Sequence, residues 1–157
     1  MEFRDGTIEG VVVRDLQRFS DHRGWLIELF RQDELAEEHY PVMAYVSLTL
    51  PGVARGPHEH RDQTDLFGFV GPSMFQVYMW DNRRDSATYG VRQMVLAGED
   101  APKLVIIPPG VVHAYRNVGD RPGLVFNAPN RLYRGWGKKQ PVDEIRHEDV
   151  ADSPFQL

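Results

Sequence analysis

The sequence predicts an all-β protein, a jelly-roll barrel around an enclosed pocket, and three observations predict it. Short apolar segments recur along the chain, over 8–16, 23–30, 43–50, 65–70, 74–80, 91–96, 103–107 and 123–128, a rhythm that suits strands and hairpins. Turn formers separate them, among them Pro51-Gly52, Gly71-Pro72, Asp81-Asn82 and Pro108-Pro109-Gly110, each restricting φ or supplying permissive backbone. Within MFQVYMW (74–80) two bulky sets alternate, Met74, Gln76, Tyr78 and Trp80 against Phe75, Val77 and Met79, so both faces of that strand are expected to be covered. That many antiparallel strands must hide their edges, and a double-sheet barrel does so.

In chain order, the opening MEFRDGTIEG is acidic and lacks the basic start and long apolar stretch of an export signal, which makes the cytoplasm the expected location. The apolar strand 23–30 would expose an edge unless a second copy of the chain covers it, so a homodimer is expected. QDELAEEHY (32–40) holds strong helix formers but is short, and is read as one or two surface turns. After Tyr133 the chain becomes polar and Pro-punctuated, and 134–157 is read as an irregular tail wrapping the barrel without strands. The 157 residues are expected to form a single domain, 1–157, since this length buries one core but not two.

Composition narrows the function. No apolar run approaches the ~20 residues that span a bilayer, so no membrane partner is expected. A net charge of −5 without a Lys/Arg stripe excludes a nucleic-acid partner, and an anionic substrate would need locally placed arginines. The absence of cysteine leaves His, Asp and Glu as the strong metal ligands.

The histidines are patterned. His58 and His60 stand two apart in GPHEHRDQTD, so an extended strand projects both imidazoles from one face and Glu59 from the other. Asp65 joins that face if RDQT forms a turn or bulge. In IIPPGVVHAYRN, His113 follows Gly110 by three residues at the start of a strand aimed inward by the Pro-Gly turn. His22, His39 and His147 stand alone and are read as hydrogen-bonded or surface residues.

Gly52, His58, His60, Asp65 and Gly71, followed by Pro108, Gly110, His113 and Asn117, resemble the two ordered motifs of the cupin superfamily, with Asp65 where Glu is usual. That resemblance implies a cupin jelly roll. In its metal-binding members these positions hold a divalent transition metal, so one reading makes His58, His60, Asp65 and His113 the ligands of Fe, Mn, Ni or Zn. Other stretches are similar to a narrower family, the dTDP-4-dehydrorhamnose 3,5-epimerases: SDHRGWLIELF (20–30), GVARGPHEH, DNRRDSATYG (81–90) and IPPGVVHAY, with HxH-x-x-QTD and Asn127-Ala128-Pro129 marking a short subgroup.

This second resemblance implies an isomerase acting on a nucleotide-sugar without a cofactor. His58 would be the base, with Arg55 near the substrate and His113 beside it. Arg23 and Glu28 would bind substrate across a dimer that exchanges N-terminal strands, and His60 would join the binding groups. The chemistry is removal of a proton next to a carbonyl and reprotonation from the opposite face. The chain departs from the family in two places: its lysine falls at Asp65, and its tyrosine acid falls near Phe126, which has no proton to give. Tyr133, Tyr115 or Tyr78 could replace that acid, Tyr133 being the candidate taken. The positions that recognise the base in the family align around Met43 to Tyr45, which depart from it as well because they are not the expected amide types, and Asp149 and Asp152 are the tail carboxylates that could orient His58. Three functions stay open: an epimerase, a metal-dependent cupin enzyme and a noncatalytic sugar-binding cupin.

Overall fold

The alternation in 74–80 is realised in the computed structural model, which describes residues 2–157. Met1, the first residue of the predicted domain and of the segment read for a signal, lies outside them. The strands run β1 (Arg4–Asp5), β2 (Val12–Asp15), β3 (Arg18–Asp21), β4 (Gly24–Ile27), β5 (Tyr45–Thr49), β6 (Ala54–Glu59) and β7 (Asp65–Phe69). They continue as β8 (Met74–Asp81), β9 (Val91–Gly98), β10 (Lys103–Ile107), β11 (Val111–Asn117), β12 (Gly123–Asn127) and β13 (Ile145–Arg146). One sheet has the order β1-β9-β8-β11-β6-β13, the other β2-β10-β7-β12-β5, and β3 and β4 form a separate hairpin. These are the two layers of the expected jelly roll.

Phe75, Val77 and Met79 of β8 point between the sheets, where they join Phe67, Phe69, Val105, Ile107, Tyr115 and Val125 in the main core. Their alternates are covered too, because Trp80 packs with Val112, Ala114 and Phe155 of the tail, and Tyr78 lies against them. The predicted tail is mostly irregular, as read, but it is not free of strand: Ile145 and Arg146 pair with Glu59 and His58. A two-residue strand between polar neighbours carries no periodicity to read. The 32–40 stretch makes two 3₁₀ turns, Gln32–Glu34 and Glu37–His39, as its length implied.

DNRRDSATYG is a structural device. Asp81, wholly buried at the end of β8, accepts hydrogen bonds from the Arg83 backbone N–H (3.0 Å) and Nε (2.8 Å), from Ser86 Oγ (2.6 Å) and from Thr88 Oγ1 (2.6 Å). It closes the β8–β9 connection. Burial pushes its carboxyl up, but these donors outweigh it and hold the group down at about 2. Among the described residues no helix is long and apolar enough to cross a membrane.

Candidate active site

The site begins with a break in the strand pattern. Along β11, His113 pairs with His58 and Tyr115 with Arg55, so two steps on β11 span three on β6. The extra residue is a bulge, and it lets Arg55 and His58 both face the cleft despite their odd spacing. Gly56 makes it possible: its φ is +84°, and a Cβ there would lie 2.6 Å from the His113 carbonyl oxygen.

Beyond β6 the chain turns through 61–64 and enters β7, in the other sheet, at Asp65. The tail holds that turn. Asp143 accepts the backbone N–H groups of Arg61, Asp62 and Gln63, each at 2.9 Å, and its carbonyl accepts His60 Nδ1. Three imidazoles and one carboxylate then converge, the ligand atoms of His58, His60, Asp65 and His113 all lying within 4.8 Å of one another. Asp65 Oδ2 is 3.1 Å from His60 Nε2 and 3.2 Å from His113 Nε2, while His113 Nδ1 donates to the Val111 carbonyl at 3.0 Å.

Their electrostatics diverge. Burial and the two neighbouring imidazoles push His58 down to about 2, which keeps it neutral. Burial pushes His60 down as well, but the Asp65 carboxylate and the Asp143 carbonyl outweigh it and raise the ring to about 9. Burial would raise Asp65, yet His113 and His60 hold its carboxyl far below the usual range.

The cluster opens into a cleft of 1870 Å³ lined by His58, His60, Arg55, Tyr45, Glu144 and Tyr133 among others. His113 and Asp65 sit behind them, 2% and 1% exposed. Arg55 lies at the mouth, its guanidinium donating to Thr49 Oγ1 (3.0 Å) and the Leu48 carbonyl (2.8 Å). Arg131, Arg134 and Lys138 line the same mouth, giving this acidic chain the local cations an anionic ligand needs.

Other sequence candidates lie elsewhere. Arg23 and Glu28 are not among the cleft residues. Arg23 caps its own turn, bonding Asp21 at 2.5 Å, and Glu28 is exposed, 4.0 Å from Arg31. Asp149 and Asp152 are exposed, and the carboxylate facing His58 is Glu144, with Oε1 3.9 Å from His58 Nδ1. His147 is hydrogen-bonded to Glu59 at 2.9 Å, as isolated histidines usually are.

The tyrosines separate by position. Tyr133 is 54% exposed at the rim, Tyr115 is buried with its hydroxyl on Ser47 Oγ at 3.0 Å, and Tyr78 stacks on Trp80 in the cluster formed with the tail. Phe126 packs outside the barrel with Leu66, Leu104 and Ile106, so the cleft-side residue on β12 is Asn127, and opposite it stands Tyr45. Asn127 Nδ2 donates to Tyr45 Oη (2.6 Å) and to Asp65 Oδ1 (3.1 Å). Tyr45 is 46% exposed overall, but desolvation of its phenol and the Asp65 charge raise the group, which therefore keeps its proton. Sequence reasoning missed Tyr45, Glu144 and Asp143. Parity along β5, which turns Tyr45, Ser47 and Thr49 to one face, was the available signal for the first; the tail carboxylates had none.

Comparison with known proteins agrees with this fold. A family model described as dTDP-4-dehydrorhamnose 3,5-epimerase matches residues 5–139. The chain is 41% identical over 127 residues to the probable low-salt glycan biosynthesis epimerase Agl13 of Haloferax volcanii, covering 80% of this chain and 81% of that protein. It is 42% identical over 115 residues to the spore coat polysaccharide biosynthesis protein SpsL of Bacillus subtilis, covering 73% and 75%. Among solved structures, a dTDP sugar isomerase from Desulfovibrio desulfuricans superposes with a TM-score of 0.81 at 27% identity, over 95% of this chain and 91% of that one. With two paired motifs, a cleft built on them and matches over most of its length, the chain belongs to the dTDP-4-dehydrorhamnose 3,5-epimerase family of sugar epimerases.

Proposed function

We propose that this chain inverts a carbon next to the keto group of a nucleotide-linked 4-keto-6-deoxy sugar, with His58 as base and Tyr45 as acid, in the assembly of a surface polysaccharide or glycan. The observation that carries it is the disposition of two groups across one cleft. His58, neutral and half-buried, comes from β6 in one sheet, and Tyr45, whose oxygen already accepts from Asn127, comes from β5 in the other.

A ring between them presents one face to each. His58 takes the proton made acidic by the ketone, and Tyr45 returns one from the opposite side, so the centre inverts. Glu144 beside Nδ1 favours the positive charge His58 acquires, and Arg55, Arg131, Arg134 and Lys138 suit a diphosphate at the mouth. His113 packs against His58 with ring centroids 4.5 Å apart and holds it in place. This reaction uses no cofactor.

The unit is one domain working with a second copy in the cytoplasm. The exposed Phe19, Trp25 and Leu26 of the β3–β4 hairpin suit burial in a homodimer, where Arg23 and Glu28 would reach the neighbouring cleft. A monomeric mass in sedimentation would remove that part. The decisive experiment is proton exchange in D₂O with a panel of 4-keto-6-deoxy nucleotide sugars: wild type incorporates deuterium at C3 or C5, and His58→Ala does not. Full exchange by His58→Ala would refute His58 as base, and tight binding without exchange by wild type would refute catalysis.

A further inference from the structure

We propose that Asn127 is the positioning residue for the acid: held by Asp65, its amide occupies the Tyr45 oxygen and keeps the phenol proton turned to the cleft instead of to the buried carboxylate. This role rests on the epimerase reading with Tyr45 as acid, whereas the arrangement of the three side chains does not.

Three neighbouring strands supply the set. Asn127 on β12 pairs with Tyr45 on β5 and with Phe67 on β7, and Asp65 lies two residues before Phe67, on the same face of β7. The three side chains therefore stand side by side across one sheet, and Asp65 and Asn127 are each 1% exposed. The amide bridges its neighbours, Nδ2 donating to Tyr45 Oη at 2.6 Å and to Asp65 Oδ1 at 3.1 Å.

What the amide meets fixes its orientation. Asp65 Oδ1 also takes a hydrogen bond from Gln63 Nε2 at 3.0 Å, so it is an acceptor, and the Asn127 atom facing it is the nitrogen. The amide oxygen, Asn127 Oδ1, is buried without a partner among the described residues. Leaving a buried acceptor unpaired is unfavourable, so both hydrogens of the amide are committed to the phenol and the carboxylate at the expense of its own oxygen.

The consequence lies in the phenol. Its oxygen accepts from Asn127, so its single O–H is not used in that bond. Acceptors of the two hydrogens on one planar nitrogen lie roughly 5 Å apart, so a buried carboxylate stands close to the acid, and its charge acts on the phenol. A hydroxyl donates to an ionised carboxylate in preference to a neutral oxygen. Without the amide between them, Tyr45 would turn its proton to Asp65 and away from the substrate. Asn127 shields the acid from that diversion. Once the proton has left, the same N–H supports the phenolate.

The experiment compares Asn127→Leu with wild type in D₂O, following deuterium entry and inversion separately on the 4-keto-6-deoxy nucleotide sugar that wild type turns over. Asn127→Leu should invert ~10- to 100-fold more slowly, part of what a positioned acid contributes. Deuterium entry through His58 and KM should stay within ~3-fold. A difference Raman spectrum, wild type minus Tyr45→Phe, reads the phenol directly, because its ring doublet distinguishes an oxygen that accepts a hydrogen bond from one that donates. It should show an accepting oxygen. Inversion within ~2-fold of wild type, an equal fall in deuterium entry and inversion, or a phenol that donates in resting wild type would overturn the role. Circular dichroism identifies an Asn127→Leu that fails to fold, and the Raman spectrum decides in that event. Inversion abolished by Tyr45→Phe but spared by Asn127→Leu removes only the role of Asn127, whereas wild type that neither exchanges nor inverts removes the epimerase reading itself.

Discussion

Replacing Tyr45 by phenylalanine removes one hydroxyl from the cleft and tests the assignment of the acid. The structural cost is small, because the oxygen makes one hydrogen bond, 2.6 Å from Asn127 Nδ2. Losing it should lower stability by about 1 kcal/mol, or roughly 2–4 °C in Tm for a chain of this size. The catalytic cost should be far larger. A positioned general acid contributes roughly 10²- to 10⁴-fold, equivalent to about 3–5 kcal/mol of barrier. The two half-reactions should also separate, since His58 can still take the proton and return a deuteron to the same face. NMR in D₂O should therefore show Tyr45→Phe washing deuterium into the substrate while producing almost no inverted sugar, and Tyr133→Phe doing both at near wild-type rates. If Tyr45→Phe inverts within ~5-fold of wild type, or Tyr133→Phe loses inversion instead, the opposed-wall mechanism is wrong.

Gly56→Ala should lower stability by about 2–4 kcal/mol in urea unfolding and reduce exchange with it, because φ is +84° and the added Cβ meets the His113 carbonyl at 2.6 Å; a change below ~0.5 kcal/mol would mean that the bulge is not needed. Asp81 predicts an acid limb. Its carboxyl falls from 3.8 to about 2 on folding, a depressed acid, so its contribution of about 2 kcal/mol is complete above the unfolded value and is lost as pH falls through the folded one. Asp81→Asn should therefore be less stable than wild type at pH 7 and lose less on acidification, and parallel stability curves would contradict the reasoning.

Features that depend on periodicity are legible in the sequence, and features that depend on remote contacts are not. Alternation in 74–80 reported a strand covered on both sides, and the structure supplies both covers, the core under Phe75 and Val77 and the tail over Trp80. His58, His60, Asp65 and His113 were legible because two short motifs hold them at strand and turn spacings, and they meet in space. Tyr45 was not legible as an acid. Its position depends on β5 lying beside β12 in the opposite sheet, a pairing between residues 82 apart, and Phe126, where the family's acid aligns, is turned outward by its parity. Asp143 and Glu144 escaped for a similar reason: they act on a turn and a histidine some 80 positions earlier, and nothing local distinguishes them from other tail carboxylates. Arg23 is the converse case, a motif residue legible in the sequence whose place within one chain is the turn it caps, because the role its motif implies lies across a dimer.

The short pairing of Ile145 and Arg146 with β6 has a dynamic consequence. Two paired residues and three turn N–H groups held by Asp143 constitute a cooperative unit much smaller than the barrel, so it opens at a lower free energy than global unfolding. Each opening frees His60 and the 61–64 turn while the two sheets stay folded. Amide exchange at Arg61, Asp62 and Gln63 therefore follows this local event, and a protease that nicks the clasp silences the pocket in a barrel that is otherwise intact.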